Sequence, residues 1–193
     1  MGAIPALGVV LAGGRGLRMG GQDKGLLAWQ GRPLAAGVLE ALRPQVQQVA
    51  INANRNAERY AELGVAVFAD QNPAAFDGPL AGMQAALSHA ETQGLHWVCF
   101  APCDAPGYPQ QLAAALWAQR DGALAVLPRT PDGRWQAAHA LVSTELLPSL
   151  SAWLAQSASR RTAEWLLAQG AVALDWQQPM PNLNRPEDLL AAW

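Results

Sequence analysis

A chain of 193 residues, 51% apolar and 15% charged, carries enough apolar material for the core of one medium-sized domain and too little charge to stay unfolded. Its formal net charge of −2 and pI near 5.9 exclude a general nucleic-acid coat, which needs lysine and arginine clustered over a face. No uninterrupted apolar run reaches the roughly 18 residues of a membrane span, and any basic patch has to be local.

The opening MGAIPALGVVLAGG lacks the positively charged start of a secretory signal, and Pro5 cuts its apolar run, so it reads as a strand. Ala6 stands where an N-myristoylation signal needs serine or threonine. A first strand is expected over 6–12, then a helix over 33–43 with Pro33 in its first turn and Pro44 beyond its end. A second strand over 48–54, a short helix over 57–63 closed by Gly64 and a third strand over 65–70 follow. Next come a helix over 80–93 ended by Gly94, a fourth strand over 95–101, a helix over 110–120 and a fifth strand over 123–128. The pattern then changes. Asp132 and Gly133, between ALAVLPR and WQAAHALV, mark a hairpin-like return into a strand running against the others. Helices near 144–155 and 160–169, a short AVAL strand, the polar turn PNLNRPED and a last helix with Leu189 and Leu190 on its core side complete the chain.

No repeat, low-complexity tract or linker interrupts this alternation. The expectation is one α/β domain over 1–193, single-domain and Rossmann-like. Its sheet is mostly parallel with helices on both faces, and an antiparallel element lies in the C-terminal half. Cys99 and Cys103, four residues apart, would have Cα atoms roughly 13 Å apart along a strand at about 3.3 Å per residue, beyond the roughly 7 Å a disulfide spans. They read as small core hydrophobes of a reducing cytoplasm. His89, His96 and His139 lack ligand spacing and read as structural, and the eight tryptophans as core or surface filler.

Sheets of this kind bind ligands beyond the carboxyl ends of their strands. The residues ending the first four strands are Gly13 and Gly14, Asn52 and Asn54, Asp70, and Asp104. The first of these ends opens LAGGRGLRMGGQDKG, residues 11–25, with six glycines, two arginines and one lysine. It is not the dinucleotide fingerprint, because the third glycine position after Gly14 and Gly16 is Met19. Nor is it a Walker loop, because Asp23 precedes Lys24 and Gly25 follows it. Bare backbone at Gly13 and Gly14, a planar fork at Arg18 and a point charge at Lys24 still suit a polyphosphate.

The stretch resembles the signature of the molybdenum cofactor nucleotidyltransferases: LAGG or LAAG, then arginine-methionine-glycine, then an aspartate-lysine pair. The resemblance continues through NANR at 52–55, Asp70, GPLAGM at 78–83, PCD at 102–104 and NLN at 182–184, and is strongest with the guanylyl-transferring members. It implies transfer of GMP from GTP to the phosphate of molybdopterin (Mo-molybdopterin) with release of pyrophosphate. Mg2+ as cofactor, a cytoplasmic setting and other molybdenum cofactor biosynthesis proteins as further partners are implied with it. A phosphate nucleophile with a second pKa of about 6 needs no deprotonating side chain, so catalysis is expected to be positioning and charge neutralisation.

Carried over residue by residue, the resemblance implies that Leu11, Ala12 and Gly13, with Gly14 beside them, hold the base through backbone atoms. Lys24 holds the triphosphate, Asn52 and Asp70 the nucleoside side, and Gly78 and Gly82 lie close to the nucleotide. Asp104 binds the metal with Asn182 or Asn184, and Arg18, Lys24 and Asp104 form the catalytic set. Structural readings stand beside these: a helix cap for Asp104, a plain helix start for Gly78-Pro79, a turn for the two asparagines. Cytidylyl-transferring relatives look like LAAG, so the missing Cβ at Gly13 is expected to make room for guanine and to favour GTP over CTP. Arg160 and Arg161 are candidates for the acceptor's phosphate or a solvated helix face. Ala137 and Arg185 depart from the family's usual proline and threonine. A cytidylyltransferase for the same cofactor, a sugar-phosphate nucleotidyltransferase and a non-catalytic nucleotide sensor are the competing readings.

Overall fold

The computed structural model describes residues 2–14, 22–73, 78–156, 159–180, 182–183 and 188. Its elements are β1 (Ile4–Leu11), β2 (Ala28–Trp29), β3 (Arg32–Pro33), α1 (Leu34–Leu42), β4 (Val46–Asn52), α2 (Ala57–Ala61), β5 (Ala66–Phe68), α3 (Pro79–Thr92), β6 (Trp97–Pro102), α4 (Leu112–Gln119), β7 (Ala125–Arg129), β8 (Leu141–Ser143), α5 (Leu147–Gln156), α6 (Thr162–Ala168) and β9 (Val172–Asp175). Among the described residues seven strands form one sheet in the order β5-β4-β1-β6-β8-β7-β9, with β2 and β3 apart as a small hairpin. β1 lies parallel to β4 and β6, β4 to β5, and β7 to β9. β8 alone runs against its neighbours β6 and β7. The carboxyl ends of β1, β4, β5, β6 and β7 therefore meet along one edge.

Both faces of the sheet are covered, and the alternation of side chains shows how. Ala6 and Val10 of β1, with Cys99 and Ala101 of β6, pack against α1, Tyr60 of α2, and Leu112 and Leu116 of α4. Leu7 and Val9, with Val98 and Phe100, pack on the opposite face against Leu80, Met83 and Leu87 of α3, Leu150 of α5 and Trp165 of α6. A strand buried on both faces reads as an unbroken apolar run, which is why ALGVV and WVCFA show no polar alternation.

The structure adjusts several expected boundaries. β1 begins at Ile4, and Pro5 is tolerated because it is exposed where the pairing register with β4 slips, between Ile4 and Leu7. The hairpin tip forms at Thr130–Arg134, with Gly133 at φ +80° and the Thr130 N–H donating to Arg134 O at 3.0 Å. The expected strand beyond it is broken by a 3-10 turn at Ala137–His139 that drops His139 into the core, leaving Leu141–Ser143 as the return. Helix 144–155 opens as a 3-10 turn, with Ser143 Oγ accepting from the Glu145 N–H, and becomes α-helical at Leu147. The β2–β3 hairpin, turning on Gln30 and Gly31 at φ 50° and 80°, has strands too short to show periodicity. The expected last helix lies outside the described residues apart from Asp188.

Candidate active site

A crevice of about 300 Å3 opens at the edge where the parallel strands end. Leu11, Ala12, Gly13 and Gly14 line it from β1, Asn52 from β4, Asp70 from beyond β5, and Asp104 from beyond β6; Lys24, Gly78 and Gly82 also line it. All ten residues that the motifs marked for a nucleotide thus face one space. Asn54, Pro79, Pro102, Cys103 and Ala138 complete the wall. Arg18 and Asn184 lie outside the described residues. Asn182 is brought alongside by its neighbour, because the Leu183 N–H donates to Asp104 O at 2.8 Å. Arg160 and Arg161 do not line the crevice: the Arg160 guanidinium donates to the carbonyls of Ser159 and Leu154, and Arg161 is the residue before α6.

One end of the crevice is a network around Asp70. Asn52, only 1% exposed, donates from Nδ2 to Asp70 Oδ1 at 2.9 Å, and Asn54 Nδ2 donates to Asp70 Oδ2 at 2.7 Å. The Asp70 N–H returns a bond to Asn54 Oδ1 at 2.9 Å. The backbone locks beneath it, with the Ala12 N–H on Asn52 O at 2.8 Å and the Ala53 N–H on Phe68 O at 2.9 Å. Two glycines make the network possible by their missing side chains. A Cβ on Gly82 would collide with Asn52 Oδ1, and one on Gly13 would lie 3.2 Å from Asn54 Nδ2 and 3.4 Å from Asn52 Oδ1. The start of α3 opens into the same space with Gly78 at φ +76° as its N-cap and Pro79 at its first position, so the helix-start reading and the lining reading hold together.

At the other end Lys24 Nζ donates to Asp104 Oδ2, an ion pair of two largely buried side chains. Asp104 is not a helix cap, since α4 begins after Gln111. Its second oxygen, Oδ1, is buried without a hydrogen-bond partner among the described residues. A buried carboxylate oxygen with no donor is what a hard cation would satisfy, and magnesium near phosphates commonly takes only one or two protein carboxylates. The described residues hold no cluster of three or more His, Cys, Asp or Glu that would make a fuller protein cage. Asp104 and Asn182 offer oxygens, so the donor set fits such a cation. Burial first, and then the neighbouring Asp104 charge, push the Cys103 thiol upward, so it lines the wall as a neutral group rather than a nucleophile.

The Lys24 loop is anchored from behind. The Tyr60 hydroxyl donates to Asp23 Oδ1 and Asn56 Nδ2 donates to Asp23 Oδ2 at 2.9 Å. Asn54 is legible in the sequence as a strand-end residue on the ligand edge and Cys103 as part of PCD, but neither carries an assigned role there, and the anchor of Asp23 is not visible. The signal for Asn54 was present, since it ends the second strand beside Asn52; Tyr60 carried none.

A bare-backbone crevice at the carboxyl edge of a mostly parallel sheet, with an ammonium and a carboxylate at one end, is the arrangement of an open α/β fold with a ligand site at its switch edge. The model of the MobA-like NTP transferase domain matches residues 8–171, and the chain belongs to that family. It is 47% identical over 189 residues to the molybdenum cofactor guanylyltransferase of Serratia proteamaculans, spanning 95% of this chain and 91% of that one. It is 42% identical over 185 residues to the protein of the same name from Mannheimia succiniciproducens, spanning 94% and 95%. The fold matches the crystal structure of molybdopterin-guanine dinucleotide biosynthesis protein A from Archaeoglobus fulgidus with a TM-score of 0.73 at 22% identity, over 95% of each chain.

Proposed function

We propose that the chain transfers GMP from GTP to the phosphate of molybdopterin, a reading supported by its relatives' shared name, molybdenum cofactor guanylyltransferase. A molybdopterin phosphate oxygen forms a bond to the α-phosphorus, the bond from that phosphorus to the bridging oxygen breaks, and pyrophosphate leaves with the electron pair. The observation that carries this reading is the pairing of Lys24 with Asp104 at one end of a glycine-lined crevice, with Asp104 Oδ1 lacking a hydrogen-bond partner among the described residues.

In this reading Leu11, Ala12, Gly13 and Gly14 receive the guanine side through bare backbone, and Asn52 and Asp70 bind the nucleoside. Lys24 and Arg18 meet the phosphates. Asp104, with Asn182 or Asn184, holds Mg2+, which supplies charge neutralisation at the phosphates when bound. Lys24 and Asp104 neutralise each other before substrate arrives, so polyphosphate entry exchanges one ion pair for others. The attacking phosphate is largely ionised at neutral pH, which suits a site whose wall, among the described residues, carries a neutral thiol and no histidine. The free cysteines Cys99 and Cys103 suit a reducing cytoplasm, and among the described residues no helix is long and apolar enough to cross a membrane. Other proteins of the same pathway are the expected source of molybdopterin and destination of the product.

The test is pyrophosphate release from GTP as a function of molybdopterin and Mg2+, with CTP in competition. Release that needs both added components and favours GTP is expected. Preference for CTP would make the chain a cytidylyltransferase, and nucleotide binding without release would make it a sensor.

A further inference from the structure

We infer that Asn54 is a specificity-determining positioning residue: it aims the Asp70 carboxylate into the crevice, and the missing side chain at Gly13 serves to leave Asn54 in place. The inference rests on the guanylyltransferase reading and deepens it. Its basis is the pair of bonds exchanged between Asn54 and Asp70, at 2.7 Å through Oδ2 and 2.9 Å through the Asp70 N–H. Because one partner is a backbone donor, the orientation of the Asn54 amide is fixed: Oδ1 must accept and Nδ2 must donate. Asn52 binds the other carboxylate oxygen at 2.9 Å, so each Asp70 oxygen takes one amide N–H. No ion pair with a cation is formed by Asp70 among the described residues. The remaining lone pairs of that carboxylate, with Asn52 Oδ1 beside Gly13 and Gly82, give this end of the crevice an acceptor character.

Acceptors select a base by its donor edge. Guanine presents N1–H and an amino group side by side, whereas cytosine presents one amino group next to acceptor N3 and O2. Aiming a carboxylate at that edge requires both amides, and Asn54 is the one that grips Asp70 at side chain and backbone together. A methyl group on Gly13 would press on Asn54 Nδ2 at 3.2 Å, while Asn52 Oδ1 at 3.4 Å would be in ordinary contact. Its effect on nucleotide choice therefore passes through Asn54.

A double-mutant cycle on the full chain reads this directly. GTP and CTP affinities are measured by calorimetry, and kcat and KM for each nucleotide with molybdopterin, in the parent, Gly13→Ala, Asn54→Ala and the double variant. Asn54→Ala should raise KM for GTP and lower the GTP:CTP preference about tenfold with kcat within about threefold, since the base lies away from the reacting phosphorus. Gly13→Ala should lower the preference about tenfold in the parent and less than about twofold when Asn54 is already alanine, the non-additivity expected of touching side chains. Equal factors in both backgrounds, or an Asn54→Ala variant with the parent's preference, would overturn the inference. Should Asn54→Ala not fold, Asn54→Ser takes its place in the same cycle. Failure of the parent to turn GTP over would remove the guanylyltransferase reading, while the binding ratios would still decide the role of Asn54.

Discussion

Asp104 bonds to Lys24 through one carboxylate oxygen and keeps the other buried with no hydrogen-bond partner among the described residues. An acceptor buried in this way costs about 1–3 kcal/mol, which offsets much of what the ion pair with Lys24 contributes, and an asparagine at 104 still offers Lys24 an oxygen to donate to. Asp104→Asn is therefore expected to cut turnover by roughly 100-fold or more while shifting unfolding stability by less than about 1 kcal/mol. Pyrophosphate release and urea unfolding on the same samples check this, and a parallel collapse of both would assign Asp104 to the fold. Charged residues such as Asp70 and Asp104 beyond strand ends, and Lys24 in its glycine-rich motif, are legible in a sequence because their chemistry is local to the motif. Asn54 is less so, because it acts on a side chain 16 residues away and only the folded register of β4 with β5 brings the two together.

At the scale of elements, α2 is too short to be stable alone, five residues where isolated helices need about 12–15. Its worth lies in Tyr60, wholly buried, whose hydroxyl reaches Asp23 just ahead of Lys24. Gly25 lies over that hydroxyl so closely that a Cβ would collide with it. The contact makes α2 the rear anchor of the segment that carries Lys24, the ammonium paired with Asp104. Tyr60→Phe keeps the ring in the core and deletes one hydrogen bond to a carboxylate, a loss of about 1.5–3 kcal/mol in stability. It should also lower kcat/KM for GTP about tenfold as Lys24 loses its fixed approach. Steady-state kinetics over a range of GTP concentrations, beside thermal unfolding, separates the two effects. Lower stability with an unchanged GTP saturation curve would confine Tyr60 to the core. The helix itself could be read from AERYAEL and its closing Gly64. Its task could not, because Asp23 stands 37 residues earlier.

Across the whole molecule, apolar runs alternating with helical periods announce a sheet covered on both faces, but not where the antiparallel strand enters. β8 sits between β6 and β7, a placement set by partners distant in sequence, and beneath this seam His139 stacks on Tyr108 with ring centroids 5.8 Å apart. Tyr108 in turn contacts Cys99 Sγ at 3.3 Å. Burial holds the cluster neutral: it pushes the His139 imidazole down to about 3, the Cys99 thiol up to about 11 and the Tyr108 hydroxyl well upward. Neither ring nitrogen of His139 has a hydrogen-bond partner among the described residues. In the unfolded chain a histidine titrates near 6.5, so below that pH the unfolded state takes up a proton that the folded state refuses. The stability due to the neutral ring is complete above about pH 6.5 and drains by up to about 1.4 kcal/mol per pH unit as the pH falls from about 6.5 towards 3. His139→Phe keeps a ring against Tyr108 and removes the proton site. Whatever constant offset the larger ring brings, the stability difference between variant and parent should move in the variant's favour by about 2 kcal/mol between pH 7.5 and pH 5. Urea unfolding of both proteins at pH 7.5, 6 and 5 measures that difference; a gap that stays constant on acidification would mean that His139 is protonated or solvated within the folded sheet.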